Sequence, residues 1–198
     1  MSKAPQTFEE AFDLVAVDAL AEAVRYQYVA HMYGFDPCQE EHLLDALPVM
    51  AWLRVRLWPG RGLRSWLRAC FWERHPKTDA MWARLAGLAL SALSVVDGKR
   101  PEESLTALRD LMASKQRDYS AANILDFGQV GCVVRANDKV RRLENLLTRR
   151  QAPRHESVRG SWADLTNYAL IARMVRRGWF TLPLAEAGEN GEAERSAA

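Results

Sequence analysis

The chain predicts an all-α protein, a helical bundle in which an N-terminal helical region packs on a C-terminal, motif-bearing helical domain. Three observations predict it. Apolar residues recur near the 3.6-residue period, beginning with Phe8, Phe12, Val15, Ala19, Ala23 and Tyr26. The breaks between such segments carry helix punctuation: Gly34, Pro59-Gly60-Arg61-Gly62, His75-Pro76, Asp97-Gly98 and Gly178. No alternating apolar and polar run is long enough to read as a strand.

Taken in order, Thr7 is an N-cap with Glu10 at the capping-box spacing, so a first helix is expected over 8–32, ending at Gly34. Asp36-Pro37 opens the second, with proline at the first helical position and Glu40 and Glu41 in the first turn. Pro48 lacks a backbone donor and predicts a break or kink, which makes 48–58 a separate helical piece. A segment rich in tryptophan and arginine covers 63–72 and ends at His75-Pro76. Thr78 or Asp79 is expected to cap a helix over 80–96, and Pro101-Glu102-Glu103 to start one reaching Lys115. Residues 117–125 read as a loop, 126–150 as a helix and 155–177 as the last long helix. Gly128 and Gly131 each cost roughly 1 kcal/mol against alanine in a helix. Two of them together point to close packing or to a ligand near the backbone. Residues 186–198 carry four glutamates among Gly, Ala and Ser, the composition of a disordered acidic tail. A boundary near 98 separates an Ala/Leu/Trp-rich region, 1–98, from a polar-motif domain, 99–185.

With 198 residues, 48% of them apolar, the chain is long enough to bury a core. A net charge of +2 gives the whole molecule no bias towards nucleic acid or anionic lipid. The charge is uneven, because 52–84 holds eight basic residues against Glu73 and Asp79. That Trp/Arg segment has two readings. Cations interleaved with aromatics suit a DNA contact; Trp52, Trp58, Trp66, Trp72 and Trp82 are more simply core anchors with arginines snorkelling at the rim, the favoured reading. Cys38, Cys70 and Cys132 form no C-x-x-C pair and read as buried thiols in a reducing compartment. His31, His42, His75 and His155 are scattered, without zinc spacing. The longest apolar run, 85–96, is too short to span a bilayer, and no leader pattern is visible. A cytoplasmic protein with no membrane partner is expected. The apolar excess of the first half points to a homo-oligomer.

Polar residues fall on the apolar side of the expected helices only between 115 and 168. Arg135, Asp138, Lys139 and Arg142 lie at i, i+3, i+4 and i+7 and share one helix face. Such a face is also what a solvated helix laced with ion pairs looks like, each pair contributing about 0.2–0.5 kcal/mol. The chemical reading gives Arg135 and Lys139 to phosphate oxygens and Asp138 to a metal. Glu156 and Asp164 are eight residues apart, about 80° round a helix, so both can look into one groove. Asp164 sits among Trp162, Leu165 and Tyr168, where a carboxylate must be paired or bind a cation. A salt bridge to one of the arginines of the preceding helix is its structural alternative. Arg117-Asp118-Tyr119 with Asn123 reads as a substrate loop or a capped turn. Neither a P-loop nor a nucleophile elbow is present.

The ordered series Lys115-x-x-Asp118-Tyr119, Asn123, Phe127-Gly128, Arg135-x-x-Asp138-Lys139-x-x-Arg142-Leu143, Glu156-Ser157-Val158 and Asp164-Leu165-x-Asn167-Tyr168-Ala169 resembles the nucleotide modification associated domain, first type, a family of phage and bacterial origin. The resemblance covers about a third of the chain. It implies a role with nucleotides, modified or damaged ones, or with precursors of modified DNA. It also places Lys115, Asp118, Tyr119, Asn123, Arg135, Lys139, Arg142 and Asn167 in a substrate-binding set. The helix-borne carboxylates are similar in style to those of MazG-like all-α nucleotide pyrophosphohydrolases. By that analogy Glu156 and Asp164 are catalytic, and Asp138, Glu156 and Asp164 hold Mg²⁺ for release of pyrophosphate from a nucleoside triphosphate. Where the family carries a further acidic residue and a threonine, this chain reads Arg159-Gly160-Ser161. One carboxylate fewer implies weaker metal binding and leaves a non-catalytic nucleotide- or DNA-binding module as the other reading.

Overall fold

In the computed structural model, residues 4–34, 37–118, 122–148 and 157–185 are described, with the side chains of all of these except Asp118, Ala122 and Asn123. Among them the chain forms helices and no strand. In order they are α1 (Phe8–Met32), α2 (Gln39–Leu57), α3 (Leu63–Arg74), α4 (Pro76–Asp97), α5 (Pro101–Asp118), the short α6 (Ala122–Leu125), α7 (Gly128–Thr148) and α8 (Val158–Arg177). The expected all-α bundle is therefore the observed architecture.

At its centre lies α4, packed on α1, α2 and α8, while α7 closes the bundle against α2 and α8. Nearly every residue of α4 from Trp82 to Ser94 is buried, because its composition of Ala, Leu, Gly and Ser leaves no polar face. The helix is longer than the apolar run marked in the sequence, and by length and composition it could cross a membrane. Here most of its apolar stretch is buried by the other helices. One core draws on α1, α2, α4, α5, α7 and α8, and so on residues from both sides of 98.

Small residues set how closely α1 meets α4. Ala19 and Ala23 of α1 are fully buried. A Cβ placed on Gly87 would lie 2.5 Å from the Glu22 Cβ and 2.8 Å from the Ala19 carbonyl oxygen. Backbone passes over backbone at that point, and only glycine leaves room.

The caps follow the expected chemistry in most places. Thr7 Oγ1 accepts from the Glu10 amide at 3.2 Å, and the Glu10 carboxylate accepts from the Gln6 amide at 2.6 Å. Gly98 and Gly178 end α4 and α8 in the left-handed conformation. Several boundaries need correction. Pro48 does not divide α2, which runs unbroken past it. Leu43, Ala46, Val49, Met50, Leu53 and Leu57 are buried on both sides of the proline. At about 1.5–3 kcal/mol for each large side chain, that burial outweighs the roughly 3 kcal/mol an interior proline costs. α2 begins after Cys38, two residues beyond Pro37. α4 starts at Pro76, capped by His75, whose Nδ1 accepts from the Lys77 amide at 3.1 Å. Neither Thr78 nor Asp79 caps it. Of the expected loop or turn over 117–125, residues 117–118 belong to the end of α5 and 122–125 to α6, while 119–121 lie outside the described residues. α7 starts at Gly128, with φ +53°, and not at Asp126. Residues 149–156 and 186–198, which include the expected helix start at His155 and the acidic tail, lie outside the described residues.

Three helices meet on one buried guanidinium. Arg173 of α8 is 1% exposed. It donates to Asp79 of α4 at 2.9 Å, to Asp18 of α1 and to the Val15 carbonyl. Arg177 adds a two-pronged pair to Asp79 at 2.6 and 2.8 Å. Burial alone would raise the Asp79 pKa, but hydrogen bonds and charge from Arg177 and Arg173 prevail and hold it at about 2. A second buried polar contact joins α2 to α4. His42 lies 2.7 Å from the Cys38 carbonyl through Nδ1 and 2.8 Å from Ser91 Oγ through Nε2. Burial lowers the His42 pKa, which favours the neutral ring.

Two outcomes follow for stability. Gly87→Ala forces α1 away from α4 and lowers the unfolding free energy by about 1–3 kcal/mol in urea titrations. Because the Asp79 pKa falls from 3.8 to about 2 on folding, its contribution is complete above the unfolded value and is lost as pH drops between the two. Melting temperature should fall across that window in the wild type, and more steeply there than in Asp79→Asn.

Candidate functional site

Three helices carry the polar cluster. Lys115 stands near the end of α5, Lys139 in the middle of α7 and Asp164 in the second turn of α8. Lys139 Nζ lies 2.9 Å from Asp164 Oδ2, and Lys115 Nζ lies 3.7 Å from Asp164 Oδ1. The carboxylate thus bridges two ammonium groups from separate helices. Of the three, Lys139 is the most enclosed, with a side chain 13% exposed. The sequence alternative of a salt bridge to the preceding helix is realised, with a lysine in place of an arginine and with α5 as a second partner.

Tyr168 and Arg135 join this group one helical turn away, at i+4 from Asp164 and i−4 from Lys139. The Tyr168 phenol is pushed above its usual pKa, first by burial and then by the Asp164 charge. Arg135 and Lys139 oppose this. The same Tyr168 and Arg135 line a cleft of about 470 Å³ with Ile124, Phe127, Val130, Gly131, Cys132 and Val134. A Cβ on Gly131 would meet the Phe127 Cβ at 3.0 Å, so that glycine serves close packing at the wall of this cleft, whereas Gly128 adopts a φ of +53° at the start of α7. Burial pushes the Cys132 thiol up to about 12, which disfavours the thiolate.

Asn167 lies one turn beyond Asp164 and is 3% exposed, and neither its amide nitrogen nor its oxygen has a hydrogen-bond partner. A buried primary amide without partners costs about 1–3 kcal/mol, the kind of debt a functional site carries. On α7, Arg142 is half-buried, whereas Arg135 and Asp138 are exposed. Of the remaining expected residues, Tyr119, Glu156 and the side chains of Asp118 and Asn123 lie outside the described residues.

Ser157 and Arg159 have structural roles. Ser157 caps α8, its Oγ accepting from the Gly160 amide at 3.0 Å. Arg159 grips Asp97 at the end of α4 with two hydrogen bonds of 2.6 and 2.8 Å. A guanidinium bound to Asp97 thus stands where a further carboxylate was looked for.

Whether this donor set fits Mg²⁺ can be judged from its chemistry. Both oxygens of Asp164 face ammonium groups, and among the described residues no three carboxylate, histidine or cysteine side chains gather in one place. Such a set holds a divalent cation poorly, since hard cations take several oxygen ligands at once. The metal expectation turns on Glu156, outside the described residues.

The charge environment of Tyr168 is open to direct test. Asp164→Asn removes an anion that disfavours the phenolate, so the Tyr168 pKa should move down. Alkaline ultraviolet titration reads this, with Tyr168→Phe identifying the signal. Comparison of the chain with known protein families, with curated proteins and with solved structures finds no match.

Proposed function

We propose that the chain binds a phosphate-bearing ligand, a nucleotide, at the cleft beside the Lys115–Asp164–Lys139 bridge. That bridge is the observation on which the reading rests. Two ammonium groups from separate helices meet at one carboxylate there, with the exposed Arg135 one turn away on α7, a gathering of cations suited to phosphate oxygens. Asp164 holds the two ammonium groups in place before a ligand arrives and so reduces the ordering cost of binding. The neighbouring cleft has the volume of a small-molecule site, with apolar walls and the Phe127 and Tyr168 rings available to a base. The resemblance to the nucleotide modification associated domain supports the same ligand class.

Of the two forms of this reading, the binding module draws support from the described residues themselves. Of the expected metal set they include Asp164, already committed to two lysines, and Asp138, exposed on α7. Hydrolysis of a nucleoside triphosphate requires Glu156 to act with Asp164, by analogy with the MazG-like enzymes.

Thermal stabilisation by a panel of ribo- and deoxynucleotides, with Mg²⁺ and with EDTA, tests the proposal. One nucleotide class should raise the melting temperature, and Lys139→Met should weaken its binding by about tenfold, the loss of one charge-assisted contact. Stabilisation without phosphate or pyrophosphate release identifies a binding module. Metal-dependent release lost in Glu156→Gln identifies the hydrolase. A panel without effect on the wild type refutes both.

A further inference from the structure

Helix α3 turns its apolar side away from the protein. At about 100° per residue, Leu63, Trp66, Leu67, Cys70 and Phe71 share an arc of roughly 140°. Their large members are 53–70% exposed. Ala69, the one buried residue of the helix, and the half-buried Trp72 lie on the other side. The helix is held chiefly at its end. Thr78 Oγ1 donates to the Trp72 carbonyl at 2.6 Å, Gln129 Nε2 to the Glu73 carbonyl at 3.0 Å, and Arg176 to the carbonyls of Glu73 and Arg74. These bonds fix α3 with its stripe outward.

The stripe is bordered by cations. Arg61, Arg64, Arg68 and Arg74 are exposed on or beside α3, and Glu73 is the one acidic residue of the helix. Beside it opens a cleft of about 600 Å³ lined by Arg54, Arg68, Val55, Trp58, Val134 and Asn137, among others. No carboxylate among the described residues pairs with Arg54, Arg64 or Arg68.

We propose that α3 is a peripheral docking helix for an anionic bilayer surface, its Leu/Trp/Phe stripe entering the acyl boundary while the arginines meet lipid phosphates. An exposed apolar stripe edged by arginine, with Trp and Phe beside leucines, is the composition of a helix that lies in the interface plane. Charge selects the anionic surface: each basic residue near it adds attraction, whereas the same arginines repel across a two-fold contact with a second copy. Single-stranded nucleic acid fits less well. Leu63 and Leu67 offer no ring to a base, and the available rings are few. Trp82 is fully buried, and Arg56 and Lys77 already sit over the rings of Trp52 and Trp72. Docking of this kind needs no spanning helix, and it is independent of the nucleotide cleft.

Co-sedimentation of the full chain with vesicles tests this, comparing phosphatidylglycerol/phosphatidylcholine mixtures with pure phosphatidylcholine. Binding to the mixed vesicles, weakened by salt and reduced by about tenfold or more in Leu67→Glu and in the double variant Arg64→Glu with Arg68→Glu, is the expected result. Both variants alter exposed side chains, and circular dichroism and melting temperature confirm that each is folded. The proposal is overturned by absence of binding at low salt or by equal binding to neutral vesicles. It is also overturned by a dimer that Leu67→Glu disperses in sedimentation velocity, or by variants that bind as the wild type does. Binding to single-stranded oligonucleotide in place of vesicles assigns the face to nucleic acid.

Discussion

Arg173 is the constraint around which the bundle closes. A guanidinium cannot be left in a core without partners, since breaking such a pair by removing one side costs about 3–5 kcal/mol. Its partners come from α1 and α4, far away in the chain, and Arg177 secures the shared Asp79 from the next turn of α8. The three helices therefore have to arrive together, and at one rotation each. The alanines and Gly87 let α1 come close to α4; the buried charge decides where along the axis they stop. Packing of small apolar residues would tolerate sliding, and this ion cluster does not.

Local chemistry was legible in the sequence, and long-range pairing was not. Thr7, Gly98 and Gly178 mark helix ends through their own backbone or side-chain needs, so a reading of neighbours finds them. Pro48 misled because its local cost is real; what overrides it is burial against α4 and α7, which no window around residue 48 contains. Asp79 reads as a cap from its position before an apolar run, yet its partners are 94 and 98 residues away. Arg173 carried the one available signal, a charged residue between Ala172 and Met174 on an otherwise apolar turn. At the candidate site the sequence marked Asp164 as a carboxylate in need of a cation, and Lys139 from the preceding helix supplies one. That Lys115 reaches the same carboxylate from α5 depends on how three helices converge. The site's aromatic wall, Tyr168, belongs to the motif series, although periodicity alone makes it a core residue.

α7 links the two surfaces to which function is assigned. Val134 borders both clefts, one facing α3 and the other facing Tyr168. Gln129 on the same helix holds the end of α3 and receives the buried Trp82 indole N–H at 3.1 Å. The two faces differ in how their charge is held. Around Asp164 the lysines are fixed by a carboxylate and aimed inward, which suits a small ligand of defined shape. Along α3 the arginines have no such partner, which suits a broad surface without fixed register.

The attachment of α3 has a consequence for motion. This helix buries a single alanine, and its firmest bonds to the rest of the chain are to carbonyls in its final turn. Releasing it exposes Ala69 and the half-buried Trp72 and little other apolar area, so the free energy of that release lies below that of global unfolding. A twelve-residue helix cut loose is also too short to persist alone. Amide protons of α3 can therefore exchange through local melting while those of α4 wait for the whole bundle to open.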